Sequence, residues 1–233
     1  MKKEIVKKKS KKEAEKKPAK KSSKADKELY WVLGVMLGLI LIFFASSAIF
    51  KSTKSFEYQG LKFTKERFGE IPLFKYFYST DRTTTPTTGS VIGSKGTSTV
   101  TVLLRNDPRK NNIPVDGEIE YLKKGEFIYA TLNSTGLLCE YSNVAMASLG
   151  AFLNQNGFKV KGASVDEADA EANGLDYITC ENKPDRMVLL FQQGEKTSIT
   201  REGNCYITNV ANCEILPAVE KFIVQSVLDA KEG

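Results

Sequence analysis

The chain contains no histidine. That absence removes Ser-His-Asp and Cys-His catalysis, His-ligated zinc and imidazole general-base chemistry together. Any catalysis would fall to carboxylates, Lys, Ser or Cys, with or without a metal held by oxygen ligands. Cysteine occurs four times and tryptophan once among 233 residues. There is no CxxC pair, which argues against a thioredoxin-like redox centre, and the cysteines lack the short paired spacings of a zinc site. Walker A, GxGxxG, GxSxG, HExxH and EF-hand patterns are all missing, so no cofactor is implied. Surplus basic charge is also missing from most of the chain. The net charge is +6, yet residues 1–29 hold 13 Lys against 5 acidic residues. Beyond them stand 21 basic and 23 acidic residues, so the expected folded part lacks the electrostatic footprint of a nucleic-acid partner.

The basic charge forms a tail. Residues 1–29 are Lys-rich and nearly free of apolar side chains, a composition that cannot bury a core and predicts disorder. Residues 30–50, YWVLGVMLGLILIFFASSAIF, are 21 residues without a charge. That length matches the roughly 20 residues needed to cross a bilayer core. Tyr30 and Trp31 open the run, where amphipathic rings favour the interface. Thirteen lysines before the run and two (Lys51, Lys54) just after it place the N-terminus in the cytoplasm and the rest outside. The tail can lie along anionic lipid headgroups. The long n-region favours an uncleaved signal anchor over a cleaved signal peptide, although the small residues of SSA at 46–48 suit a peptidase.

This topology frames the cysteines. Cys139, Cys180, Cys205 and Cys213 all follow the apolar run, on the side where disulfides persist. Four cysteines allow three connectivities, and sequence alone does not choose among them. The expected staples are Cys205–Cys213, closing a nine-residue ring, and Cys139–Cys180, at the ends of two neighbouring parallel strands. One N-glycosylation sequon occurs, at Asn133.

The pattern beyond residue 51 predicts an α/β class: a mixed β-sheet with packed helices, preceded by the single transmembrane helix. Strands or hairpins are expected over 56–63, 71–78 and 99–105. The Ser/Thr/Gly/Pro-rich stretch 79–99 reads as a long mobile loop across a strand pair. From residue 126 the order is β-α-β-(α)-β-β-β-β-α. Tyr141, Ala145, Leu149, Phe152 and Leu153 mark the buried stripe of the first helix, with Gly157 as its stop. Val219, Phe222, Ile223, Ser226, Val227 and Ala230 mark that of the last, which opens at Pro217.

The weak candidates for chemistry are carboxylates. Asp107, Arg109 and Asp116 sit in turn-rich sequence, where turn capping is the plainer role. Asp176, Cys180 and Glu181 fall at a strand end, where α/β sheets bind ligands, but no base is present to activate the thiol. The run Asp166, Glu167, Asp169 and Glu171 lacks the alternating oxygens and central Gly of a calcium loop and reads as a solvated helix face.

The segments YITCEN (177–182), GNCYITNVANCEIL (203–216) and VEKF (219–222) resemble those of uncharacterised exported archaeal proteins with a single N-terminal span. The resemblance covers about the last quarter of the chain. It implies a surface location and no activity, substrate or site residue. Three functions stay open at this point. The first is a non-catalytic, membrane-anchored domain for surface interaction or envelope assembly. The second is a His-independent hydrolase working through carboxylates. The third is a small-molecule sensor.

Overall fold

The computed structural model describes residues 24–52, 54–82, 96–121, 127–132, 137 and 139–232. The first 23 residues, most of the Thr-rich stretch and Asn133 lie outside these. The chain divides into two units, Met1–Lys51 and Ser52–Gly233.

The first unit is one helix, α1 (Lys24–Ser52). Its apolar side chains are exposed around the whole circumference, from Leu29 and Tyr30 to Phe43 and Phe44. Residues 27–46 make it long and apolar enough to cross a membrane.

The second unit contains two sheets. The smaller is antiparallel in the order β1 (Ser55–Tyr58), β2 (Leu61–Phe68), β3 (Ile71–Arg82), β4 (Gly96–Leu104). Its hairpins are tight: Tyr58 pairs with Leu61, and Phe68 with Ile71. The second of these turns needs a positive φ at its first position, which Gly69 supplies at +62°. β3 and β4 pair in antiparallel register on either side of residues 83–95, which lie outside the described set. The sequence pattern did not separate these strands from the later ones; the structure makes them a sheet of their own.

The larger sheet has seven strands in the order β5-β10-β11-β9-β6-β7-β8. Its members are β5 (Val115–Asp116), β6 (Phe127–Leu132), β7 (Lys159–Ser164), β8 (Asp176–Tyr177), β9 (Val188–Gln193), β10 (Ser198–Glu202) and β11 (Cys205–Val210). β11, β9, β6, β7 and β8 run parallel; β10 turns back antiparallel to β11 and carries β5 at the edge. Helix α2 (Ser142–Gln155) connects β6 to β7, and α3 (Glu167–Asn173) connects β7 to β8. Asp166 caps α3 by accepting from the Asp169 amide at 2.8 Å, and Gly174 ends it in the left-handed region. The chain closes with α4 (Ile215–Glu232).

One continuous core draws on both sheets and on α2 and α4. Leu61, Phe63, Phe74 and Leu104 of the small sheet and Ile128, Leu189, Phe191 and Tyr206 of the large one meet Leu149, Leu153, Phe222 and Ile223 of the helices. The two helices therefore fill the space between the sheets. α4 is buried on almost every side, the mark of a helix with apolar partners all round. Two expected stripe residues fall at the margins instead: Tyr141 and Ala230 are both exposed, because each lies at an end of its helix beyond the packed layer.

All four cysteines are paired, but not as the sequence suggested. The bridges are Cys139–Cys213 and Cys180–Cys205, each with a Cα–Cα distance of 5.5 Å. A Cys205–Cys213 ring cannot form because Cys205–Val210 is an extended strand, which alone sets its two ends about 16 Å apart. Cys213 follows the C-terminal end of β11, at the same end of the sheet as Cys139, which follows β6. Cys180 does not stay at the C-terminal end of β8. The segment 178–187 leads back to the start of β9, and this brings it to Cys205 at the start of β11, beside Val188. With Ile178, Val188 and Ala163 this bridge forms a second, smaller core on the outer face of the large sheet.

Peptide mapping without reduction is expected to recover the 139–213 and 180–205 linked pairs; a 205–213 loop would contradict this topology. The bridges close 74 and 25 residues of chain. Loop entropy then predicts that removing the first costs about 4 kcal/mol and the second about 3.5 kcal/mol. Urea unfolding of the paired Cys→Ser variants checks that order.

Candidate functional site

The carboxylates singled out in the sequence are dispersed by the fold. Asp116 lies on β5 and Asp176 on β8, the two opposite edge strands of the large sheet. Six strand spacings separate those strands, about 29 Å. Asp176 is ion-paired with Lys161 on the neighbouring strand at 2.6 Å. Asp107 caps the short 3₁₀ helix 108–110 and grips Arg109, with Nη2 donating to Oδ2 at 2.6 Å and Nε to Oδ1 at 3.0 Å. That guanidinium contact holds the Asp107 carboxyl below its ordinary range. Asp169 accepts from the Ser164 hydroxyl at 2.7 Å and from Asn173 at 2.9 Å, so the acidic run is part of the α3 framework. Glu181 is exposed beside the Cys180 bridge. Among the described residues no cluster of His, Cys, Asp or Glu is placed to hold a metal ion.

Grooves of comparable size open among the described residues. One of about 440 Å³ runs between β4 and α2, floored by Val144, Ala147, Ser148 and Ala151. The β4 edge facing it donates the Thr101 amide to the Gln155 carboxamide at 3.0 Å. A second, of about 460 Å³, is more polar and lies among Asn106, Asp107, Lys110, Lys196, Thr197 and Glu214. Its Thr197 hydroxyl donates to Glu214 at 2.6 Å. A third, of about 430 Å³, is aromatic, walled by Tyr76, Tyr78, Tyr121 and Phe158. Burial pushes the Tyr78 phenol up to about 12, against the opposing effect of its 2.7 Å bond to Asn156. None of these grooves holds the paired, unengaged carboxylates or the activated nucleophile that hydrolysis would need.

The one buried acid among the described residues was not legible in the sequence. Glu220 on α4 is 2% exposed, inside the core layer. Its two oxygens accept from the Arg105 amide, from the Asn106 amide at 3.1 Å and from the Asn106 carboxamide at 2.8 Å. Burial raises its pKa, and the three hydrogen bonds only partly oppose that rise. All three of these hydrogen bonds come from the chain just past β4, so this is a structural clamp joining the small sheet to α4. No sequence signal set Glu220 apart, because α4 also carries Lys221, Asp229, Lys231 and Glu232.

Glu220→Ala leaves two backbone amides without an acceptor and is expected to cost about 3 kcal/mol in urea unfolding. A folded-state pKa above the unfolded one means stability that is present at low pH and lost as pH rises through the raised value. The stability of the wild type relative to Glu220→Gln should therefore fall as pH climbs out of the ordinary glutamate range, then level off. A difference that grows with pH would overturn the assignment. No family model, no curated protein and no solved structure compared with this chain matches it.

Proposed function

We propose that this chain is a single-pass membrane protein. The segment 30–50 crosses the bilayer, the Lys-rich tail stays in the cytoplasm, and the Ser52–Gly233 unit stands outside. There it serves non-catalytically in surface interaction or envelope assembly. The observation that carries this reading is the bare apolar circumference of α1: Tyr30 and Trp31 are more than 70% exposed, and Phe43 and Phe44 nearly so. Each such side chain gains about 1.5–3 kcal/mol on leaving water, and a bilayer takes all of them at once.

Three further features support it. Both disulfides lie in the second unit, and disulfides persist in oxidising compartments. The lysine asymmetry favours a cytoplasmic N-terminus, and the tail is suited to anionic headgroups. The resemblance to exported single-span archaeal proteins points the same way. The hydrolase reading would need two carboxylates in one cleft, and the separation of Asp116 from Asp176 gives it no support.

Two measurements test the proposal. The full chain should stay in the membrane pellet through alkaline carbonate extraction. In intact cells, a membrane-impermeant maleimide should label the second unit only after reduction by an impermeant phosphine. Release by carbonate would remove the anchor. Labelling without reduction would remove the disulfides, and labelling confined to lysed cells would reverse the topology.

A further inference from the structure

We propose that the β2–β3 hairpin is a lipid-docking tip, through which the Ser52–Gly233 unit rests on an anionic bilayer surface. The inference rests on reading α1 as the span.

Among the described residues of the unit, the tip carries the most exposed large apolar side chain. Phe68 is 77% exposed and Ile71 41%, and as register partners they point to the same face. Phe77 and Leu103, also exposed, continue that face across β3 and β4. A single exposed apolar residue calls for no explanation, but four on one face of one sheet do.

The hairpin also projects to the side where the chain joins the unit. α1 ends at Ser52 and β1 starts at Ser55, so the tether is two residues long. The Lys54 carbonyl accepts from the Lys65 amide at 2.6 Å. β2 then runs on from Lys65 to Phe68, carrying the tip about 10 Å past the junction. A short tether holds the unit at any bilayer that α1 crosses, which raises the effective concentration of lipid at the tip.

Charge follows the same direction. Residues 51–75 hold six basic and three acidic side chains, whereas 76–233 hold fifteen basic and twenty acidic. Positive charge beyond the span is therefore gathered at the junction and the hairpin. Lys65 and Arg67 are exposed just behind the tip, on the opposite face of β2 from Phe68, and Lys62 is exposed further along the face that Phe68 shares. Of the acids, Glu66 is engaged by Lys75 at 3.7 Å and Glu70 sits in the exposed turn. Apolar residues flanked by Lys and Arg match an interface with apolar chains below and anionic headgroups above.

The test uses the Ser52–Gly233 fragment, which contains every core residue and both disulfides and so carries its own fold. The chain's one tryptophan, Trp31, lies outside it. Phe68→Trp therefore installs a unique fluorophore at the tip, Ile71→Trp a second, and Phe127→Trp a control on the exposed side of the large sheet. With phosphatidylcholine vesicles containing phosphatidylglycerol, both tip variants should shift to the blue and be quenched by acyl-brominated lipid, while the control should not. Neutralising Lys65 and Arg67 together to Gln should weaken vesicle binding about thirtyfold. Unchanged emission from both tip variants would overturn the proposal. So would a blue shift that needs only concentrated protein, which would assign the face to a second copy. Either failure leaves the span untouched, because the fragment lacks α1; failure of the span would show instead as carbonate release of the full chain.

Discussion

Helix α4 has no solvent face to spare, and the rest of the second unit is arranged around that fact. Ile215, Ala218, Val219, Phe222 and Ile223 are almost wholly buried, and so are Val224 and Ser226. Only a strip through Lys221, Gln225 and Asp229 is half-buried, so the helix needs partners on most of its circumference. The small antiparallel sheet and the mixed sheet supply two of them, and α2 supplies a third. Glu220 converts this packing into register. A carboxylate inside the layer is tolerable only with its acceptors filled, and the amides just past β4 are what fill them. The clamp therefore fixes where the small sheet ends against the helix.

The disulfides act at the opposite scale, on connections instead of layers. Cys139–Cys213 joins the segment after β6 to the turn that launches α4, so it holds the first residues of the central helix against the sheet. Cys180–Cys205 holds the segment 178–187 to the outer face of the large sheet, where Ile178 and Val188 pack around it. Both bridges fasten connections between elements of the large sheet and its helices. This is how disulfides contribute most in an unfolded chain with long loops to close.

The chemistry of the surface is consistent with an interaction role. Asp107, Asp166, Asp169 and Asp176, which drew notice in the sequence, are spent on capping, ion pairs and helix framework. What remains open is shape and polarity: a trough beside an edge strand, an aromatic groove and a basic, apolar-tipped hairpin near the junction with α1. These are the features on which the proposed interaction role would draw.

The sequence by itself determined the elements that depend on local period and composition. The uncharged run at 30–50, the β-α-β order after residue 126 and the stripes Ala145–Leu149–Leu153 and Val219–Phe222–Ile223 were all legible, because hydrophobic periodicity is a local property. Tertiary structure alone decided what depends on distance across the fold. The first four strands became a separate sheet because pairing partners are chosen by packing against α2 and α4, which no single strand encodes. Cys205 and Cys213 were adjacent in sequence but parted by a fully extended strand, while the backtracking segment after β8 brought Cys180 to Cys205. Glu220 looked like a flaw in an apolar stripe until the amides of Arg105 and Asn106, more than a hundred residues earlier, were brought to it. A period can be read along the chain, but a partner that distant is set only when the layers close.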